Sequence, residues 1–548
     1  MAAHIQTGTM NVPSYHSQTL DHLGLVAGMV DELGLVSLIN QMLPKPVEGS
    51  TVSYGHAVKA MIVNGLGFVQ RALYLTPDFF RDKPVDRLVG EGIQAEQLND
   101  DLLGRTLDKI YDYGLDEFYS PLSVQAVTRL GLSSDKAHLD SSSFHTDGVY
   151  NSANPPNDTE KVIHITRGYS RDHRPELNQL VLQLICENQA GIPVLMKPLS
   201  GNSNDKTDFR KTIKSHLNQL QTDVGIRYLV ADSALYTAET LPTLQAIYWI
   251  TRVPETLKLA KEQIHTHAAA LMKDWETQSL QSVTVTYADI QQRWLLVYSP
   301  QAYQRALKTV SRQLFKQSQK EYNTFQALCR EPFACQADAE TALAKWQKKT
   351  SVTEVSDVRY SREPRYRGRG RPMAGAEPDY YEVYISGAIA TQVEAYQERL
   401  ERKSCFIIAT NEQDKNQLGD NELLAVYKEQ QTVERGFRFL KDPRFMANIL
   451  FLKSVKRVMA LTAIMTLCLM IYAALEYRIR QALRENEETF PNQLGKRVIN
   501  PTARWVFQYF TGIHLLTVNE QQVIVLNMND EHELLIRLLG NHYQQIYS

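Results

Sequence analysis

Between residues 126 and 478 the sequence predicts an α/β sheet domain, split by an insertion and preceded by a helical domain at 1–125. Three observations predict it. Residues 137–253 carry five short strand-like runs, with helical segments between the later ones, and that alternation builds an α/β sheet. From 255 to 412 the pattern changes to a hairpin and a long charged stretch, so a separate unit interrupts the sheet. Beyond it, 420–441 reads as a helix and 458–475, VMALTAIMTLCLMIYAAL, as an uncharged run able to cover the sheet as a core helix. That run also lies at the lower edge of a membrane span.

Composition sets the limits. A chain of 548 residues is too long for one core. With 43% hydrophobic and 22% charged residues it has the balance of an ordinary folded protein. The net charge of −2 gives no global sign of nucleic acid, so a DNA partner has to be met by local basic patches. Cys186, Cys329, Cys335, Cys405 and Cys468 are scattered without a CxxC pair, which argues for a reducing, cytoplasmic setting and against a zinc finger. The N-terminal residues lack the basic-then-apolar pattern of a leader.

In chain order, Leu20–Leu43 has apolar residues at helical spacing, interrupted at Gly34 and ended by Pro44 and Pro46. Ser53–Val69 and Ala95–Tyr113 are the next helical stretches. This first domain is compatible with a helix in a DNA groove, or with dimerisation or packing. The sheet domain opens at 126–254. Ala137–Phe144 is a strand with Asp140 near its middle. Gln179–Glu187 and Ile192–Leu199 are strands joined by a turn at Asn188–Gly191. A helix at Thr207–Leu220 leads to the strand Arg227–Ser233, whose apolar run delivers Asp232 at its C-terminal end. A helix at Thr237–Ala246 and a strand at Tyr248–Val253 complete this part.

The insertion, 255–412, holds a hairpin (Ser282–Ala288 and Arg293–Ser299 through Gln291-Gln292), a charged helix over 301–348, and strands at Tyr381–Ile385 and Cys405–Thr410. Residues 359–372, RYSREPRYRGRGRP, form an arginine-dense run that reads as flexible. Arg362, Arg365, Arg367, Arg369 and Arg371 suit phosphate or minor-groove contact, and the Gly-Arg-Gly-Arg-Pro core resembles an AT-hook; a solvated linker is the alternative.

The second part of the sheet domain, 413–478, opens on the helix 420–441. At about 100° per residue, Tyr427, Gln430, Glu434, Arg438 and Lys441 share one face, with Val426, Val433, Phe437 and Leu440 beside it. A metal-binding carboxylate bordered by phosphate binders has that composition; so does an amphipathic helix with a solvated face. Residues 479–548 form a C-terminal tail domain with an aromatic stretch, Trp505–Phe510, a strand at Val523–Leu526 and a last helix.

Asp140, Asp232 and Glu434 thus stand far apart on a strand, a second strand and a helix. Phosphodiester cleavage is well served by two divalent cations about 4 Å apart, and hard carboxylate oxygens on rigid elements suit magnesium. Among 61 acidic residues such a triple proves little by itself. Resemblance adds weight. The spacing Tyr427-x2-Gln430-x3-Glu434-x6-Lys441 resembles the Tyr-x2-Arg-x3-Glu-x6-Lys signature of bacterial insertion-sequence DDE transposases, with Gln430 in place of arginine. HLDSSSFHTDG (138–148) and LVADSALY (229–236) resemble that family's two aspartate motifs, and GYSRDHRPELNQ (168–179) and LSGNSNDKTDF (199–209) resemble further family segments.

The resemblance implies a ribonuclease H-like core with a β-rich insertion, and an enzyme that cuts an element's ends and joins them to target DNA by a cut-and-paste route. Asp140, Asp232 and Glu434 would bind two Mg2+ ions, with Mn2+ as a substitute. Tyr427, Gln430 and Lys441 would lie along the DNA, and Arg438 joins them from helix geometry. It further implies double-stranded DNA partners (terminal inverted repeats and target), a homodimer in the synaptic complex and no membrane. An insertion tryptophan receives a flipped base in related enzymes, which makes Trp275, Trp294 and Trp346 the stacking candidates. A non-catalytic, repurposed DNA-binding transposase is the alternative.

Overall fold

The structure is a computed structural model that describes residues 14–43, 51–68, 75–133, 135–146, 162–170, 172–368, 370, 375–442, 452–519 and 522–548. The chain divides into two compact units, Met1–Ile250 with Leu424–Ser548, and Thr251–Leu423.

The first unit begins with strand β1 (Tyr15–Thr19) and helices α1 (Leu23–Glu32), α2 (Leu35–Met42) and α3 (Tyr54–Leu66). Gly34, at φ 67°, makes the left-handed step between α1 and α2 that other residues adopt at a cost. Ser53 caps α3 by accepting from the His56 N–H. Short helices α4 (Thr76–Phe80) and α5 (Val85–Leu88) lead to α6 (Asp100–Tyr113), which Asn99 caps, and to α7 (Leu115–Arg129). On α6, Leu102, Leu103, Leu107 and Ile110 are buried, the face the apolar spacing marks out.

The sheet follows: β2 (Lys136–Thr146), β3 (Asn178–Glu187), β4 (Pro193–Ser200), helix α8 (Asp205–Asp223), β5 (Tyr228–Ala231) and β6 (Tyr248–Arg252). Its order is β4-β3-β2-β5-β6. β3 runs antiparallel to both β2 and β4, while β5 runs parallel to β2. This mixed sheet with its helices is the α/β core the sequence predicts, in the strand order expected of a ribonuclease H-like arrangement. The helix expected over Thr237–Ala246 is only a 3-10 turn at Leu241–Leu244. Pro242 brings no N–H, and the Thr237 hydroxyl accepts from the Thr240 N–H, so local side-chain bonds replace the helical ladder.

The second unit contains α9 (Lys258–Leu271), the hairpin β7 (Ser279–Tyr287) and β8 (Ile290–Tyr298), α10 (Pro300–Arg330), α11 (Gln336–Gln347), the hairpin β9 (Thr353–Arg365) and β10 (Tyr380–Thr391), α12 (Val393–Ser404) and β11 (Cys405–Thr410). Beside the expected β structure, two hairpins and β11, the described residues hold four helices. Three details differ from the sequence reading. The first hairpin turns at Ala288-Asp289, both at positive φ, and Gln291-Gln292 already belong to β8. The helix expected over 301–348 ends at Arg330, two residues before Pro332, and restarts as α11. The arginine run is not a flexible linker up to Arg365. It is strand β9, with Arg365 opposite Tyr380 and Arg362 opposite Val383, because Val355, Val358 and Tyr360 pack on a core of Phe325, Phe333, Leu343, Val383 and Ile385.

The first unit resumes with α13 (Asp420–Lys428), α14 (Gln431–Leu440), α15 (Val455–Glu485), a small ladder β12 (Phe490–Pro491) with β13 (Arg497–Val498), α16 (Ala503–Tyr509), β14 (His514–Val518), β15 (Gln522–Leu526), α17 (Asp530–Leu539) and α18 (Asn541–Gln544). α15 is long and apolar enough to cross a membrane, with mean hydropathy 2.3 over its apolar window, yet 89% of that window is buried in the fold. It packs against α1, α3, α6, α7 and β4, so it is the core helix the run suggests. The two ends of the chain share one sheet, β1-β14-β15, and the Tyr543 and Tyr547 rings lie on Gly28 and Gly24 of α1.

His22 is buried beside that packing: its Nε2 donates to the Leu66 carbonyl at 2.9 Å and its ring stacks on Phe507 at 4.4 Å. Desolvation holds His22, His56 and His532 below the usual imidazole range, outweighing the hydrogen bonds and acids that raise them. The unfolded chain therefore binds more protons than the folded one below about pH 6.5. Stability is fully present above that pH and is lost as pH falls toward the depressed folded values. Urea midpoints are expected to drop between neutral and mildly acidic pH, with a shallower drop in His22→Gln; an equal drop in that variant removes His22 from the account.

Candidate active site

Asp140 and Asp232 reach the same place by strand register. β2 and β5 run parallel with Lys136 opposite Tyr228 and Leu139 opposite Ala231. Asp140 is the next residue on β2 and Asp232 the first residue past the end of β5, so continuing the register sets the two about 5 Å apart at the backbone. Tyr228, Leu229, Val230 and Ala231 are buried, which fixes β5 as an inner strand and delivers Asp232 where the strand ends. The two side chains also hold local turns: Asp140 Oδ1 accepts from the Ser141 N–H at 2.7 Å, and Asp232 Oδ1 from the Ala234 N–H at 2.9 Å.

Helix α14 lies along the face that carries Asp140. Phe144, four residues on and therefore on the same side of β2, has its ring 6.5 Å from that of Phe437. Nearer the start of the strand, Gln430 Nε2 donates to the Leu139 carbonyl at 3.4 Å. Glu434 is one turn beyond Gln430 and one turn before Phe437, level with the stretch of β2 that holds Asp140. Val433, Phe437 and Leu440 are buried and Glu434 is exposed, so the carboxylate sits on the flank of the buried stripe. Among the described residues no three His, Cys, Asp or Glu side chains are gathered as a finished metal cage.

The long helix expected over 420–441 is two helices with an elbow at Glu429-Gln430. The Gln430 N–H bonds the Tyr427 carbonyl, a tighter step than an α-helix makes, and Thr432 bonds Glu429. Side-chain anchors accompany the bend. The Glu429 carboxylate accepts from Asn188 Nδ2 at 2.6 Å, and Asn188 Oδ1 accepts in turn from His138 Nε2 at 2.5 Å. Burial drives the His138 imidazole down to about 4, so at neutral pH it is the uncharged donor this chain of bonds needs. Tyr427 therefore belongs to α13 and does not extend the α14 face.

Other residues fall into place separately. Gln430, a candidate DNA contact, is only 8% exposed and serves to tie α14 to β2. Lys441 lies over the Phe144 ring at 5.6 Å and its ammonium is held by Asp172 at 2.8 Å. Asp172 thus reaches across the fold, and it also faces His145 at 3.4 Å. Arg438 is exposed. In the second unit, Arg362 and Arg367 are exposed, while Arg365 is committed to Glu363, Glu382 and Tyr384. Arg369 and Arg371 lie outside the described residues. Trp294 has no exposed surface and bonds Gln292, which removes it from base stacking without unfolding. Trp346 is held by the Thr324 hydroxyl and the Phe325 ring. Trp275, 50% exposed, is the tryptophan of the three that presents a ring to solvent.

What the sequence reading missed is the seat of the segments around Gly168 and Gly201. Gly201 N–H bonds the His164 carbonyl, and Gln179 Nε2 donates to the Gly201 carbonyl at 2.7 Å and the Tyr169 carbonyl at 3.1 Å. The signal was the pair of glycines inside otherwise polar segments, which marks close backbone approach.

The family profile "Domain of unknown function (DUF4277)" matches residues 15–124. Curated proteins gave no match. Among solved structures, a piggyBac transposase synaptic complex with hairpin DNA, determined by cryo-EM, aligns over 89% of this chain and 79% of its own, at 8% identity and a TM-score of 0.35. The profile "Transposase DDE domain" matches residues 138–471, more than half of the 548 residues, and spans all three acids. The chain belongs to the DDE-domain transposase family.

Proposed function

We propose that this transposase cuts and rejoins DNA by a cut-and-paste route, using Asp140, Asp232 and Glu434 as its catalytic carboxylates. The observation that supports the reading is the β2–β5 register, which pairs Leu139 with Ala231, the residues just before Asp140 and Asp232, while α14 packs on Phe144 of β2. The donors fit Mg2+: they are hard carboxylate oxygens on two strands and a helix, with Mn2+ able to replace it. When bound, a pair of such ions activates the attacking oxygen and stabilises the leaving one. The chain's own part is to position. Asp140 is held by the pairing of β2 with β3, Asp232 by its place at the end of β5 and the bond from the Ala234 N–H, and Gln430 and the His138–Asn188–Glu429 bonds hold the start of α14 to the sheet. Glu434 supplies the third carboxylate from the exposed flank.

The substrate is double-stranded DNA, the element's terminal repeats and then a target, engaged by a homodimer in the synaptic complex. Arg438 and the exposed Arg362 and Arg367 are the cations placed to meet phosphate, and Trp275 is the ring placed to stack on a base. The test is nicking of a supercoiled plasmid carrying the element's ends. Wild type is expected to nick it only with Mg2+ or Mn2+, and Glu434→Ala to lose the activity by about a hundredfold or more. Equal nicking by the variant would point to the non-catalytic, DNA-binding alternative, with contaminating nuclease as the source of cuts.

A further inference from the structure

The outer side of α14, turned away from β2, forms one wall of a cleft of about 500 Å3. α15, the Asn188–Gly191 turn, Phe68 and the segment Thr502–Arg504 complete it, all within the first unit. Its lining holds Arg435, Arg438, Arg480 and Arg504 against only Asp442 and Glu476, a formal charge of +2 in a chain whose net charge is −2.

The pairing inside the cleft is uneven. Arg480 is held by Glu476 at 2.6 Å and Arg504 by Asp442 at 3.1 Å, which uses both acids. Glu476 also accepts from the Ala503 N–H, so it is committed to the wall. Arg435 bonds the Thr432 hydroxyl, at 3.2 Å, and among the described residues neither Arg435 nor Arg438 makes an ion pair. Two guanidiniums three residues apart on one helix, with side chains some 5–6 Å apart at their bases, therefore face the cleft without a carboxylate. Behind them Phe439 stacks on Tyr472 at 4.3 Å and closes against Phe68, giving a rigid, partly apolar floor.

We infer that this cleft binds the backbone of a DNA strand, with Arg435 and Arg438 on successive phosphates. Guanidinium groups without a carboxylate among the described residues match phosphate in charge and in their forked donors. Arg438 stands one helical turn beyond Glu434, so a strand held here continues toward the acids along α14. The inference rests on the DNA-processing reading above and adds a separate grip, on the opposite side of the helix from the sheet.

The test is fluorescence anisotropy of the full chain with a short labelled duplex and the matching single strand, in EDTA so that cleavage plays no part, over a range of KCl. For Arg435→Gln/Arg438→Gln, affinity is expected to fall about tenfold and the slope of log K against log salt to shrink by about 2. Ala473→Trp, which fills the cleft without changing charge, is expected to lose a similar factor, and Arg484→Gln, an exposed arginine outside the cleft, to bind like wild type. Wild-type affinity and slope in the double variant, while wild type binds DNA, overturn the cleft and leave the transposase reading standing. An equal loss in Arg484→Gln overturns it too, in favour of diffuse charge. No binding by wild type removes the DNA reading and the cleft together.

Discussion

Asp140→Asn and Asp232→Asn are each expected to lower Mg2+-dependent strand cleavage by about a thousandfold or more while leaving the fold intact. The register explains both halves. Two acids about 5 Å apart at the backbone, one on β2 and one at the end of β5, carry like charges that repel in the absence of a cation. Replacing one by its neutral isostere removes that repulsion and keeps the shape and the local turn. In EDTA the variants should therefore melt at the wild-type temperature or slightly above it. Added Mg2+ should raise the melting temperature of wild type, because a ligand that binds only the folded state stabilises it, and should raise neither variant by the same amount. A variant that keeps the Mg2+ shift but loses activity would show that its aspartate acts in some way other than holding metal.

Gly168→Ala and Gly201→Ala are expected to be the most damaging changes outside the acids, with a cost of about 2–4 kcal/mol. A Cβ on Gly168 would lie 1.9 Å from the Gly201 carbonyl oxygen, and one on Gly201 would lie 2.1 Å from the Gln179 carbonyl oxygen. Both obstacles are backbone, so no side chain can swing away. The segment would have to lift off the sheet edge, breaking the Thr166–Gln179 bridge and the bonds from Gln179. Ser170 and Asp172 follow in the same segment, and with them go the contacts to His145 and Lys441 at the far end of α14. Denaturation midpoints check the stability cost. The nicking assay should fall with it, whereas a variant that loses stability and keeps full activity would separate this clasp from the site.

Much of the core was legible because its signals are local. The strands β3 to β6 announce themselves as apolar runs between turn residues, and Asp232 is visible as an acid at the end of such a run. The apolar residues of α6 and α15 are buried as their spacing indicates. The elbow at Glu429-Gln430 was not legible, because its anchors, Asn188 and the Leu139 carbonyl, lie more than 200 residues away. Arginine density masked β9: composition suggested a solvated linker, while Val355, Val358 and Tyr360 carried the strand pattern that packing obeys. For the same reason Asp172 could not be matched to Lys441, nor β1 to β14, since each partner is remote in sequence. Trp294 looked like any other tryptophan until its place in the middle of β8 buried it.

The account turns on one spatial claim, that three acids remote in sequence serve a single metal-binding place. Fe2+ substituted for Mg2+ tests it directly, since hydroxyl radicals formed at bound iron cut the backbone nearest to it. Three clusters of cuts are expected in the full chain, around Asp140, Asp232 and Glu434, and all three should fade together in Asp140→Asn. Cuts near the two aspartates with none near Glu434, or a Glu434 cluster that survives the Asp140 change, would contradict it.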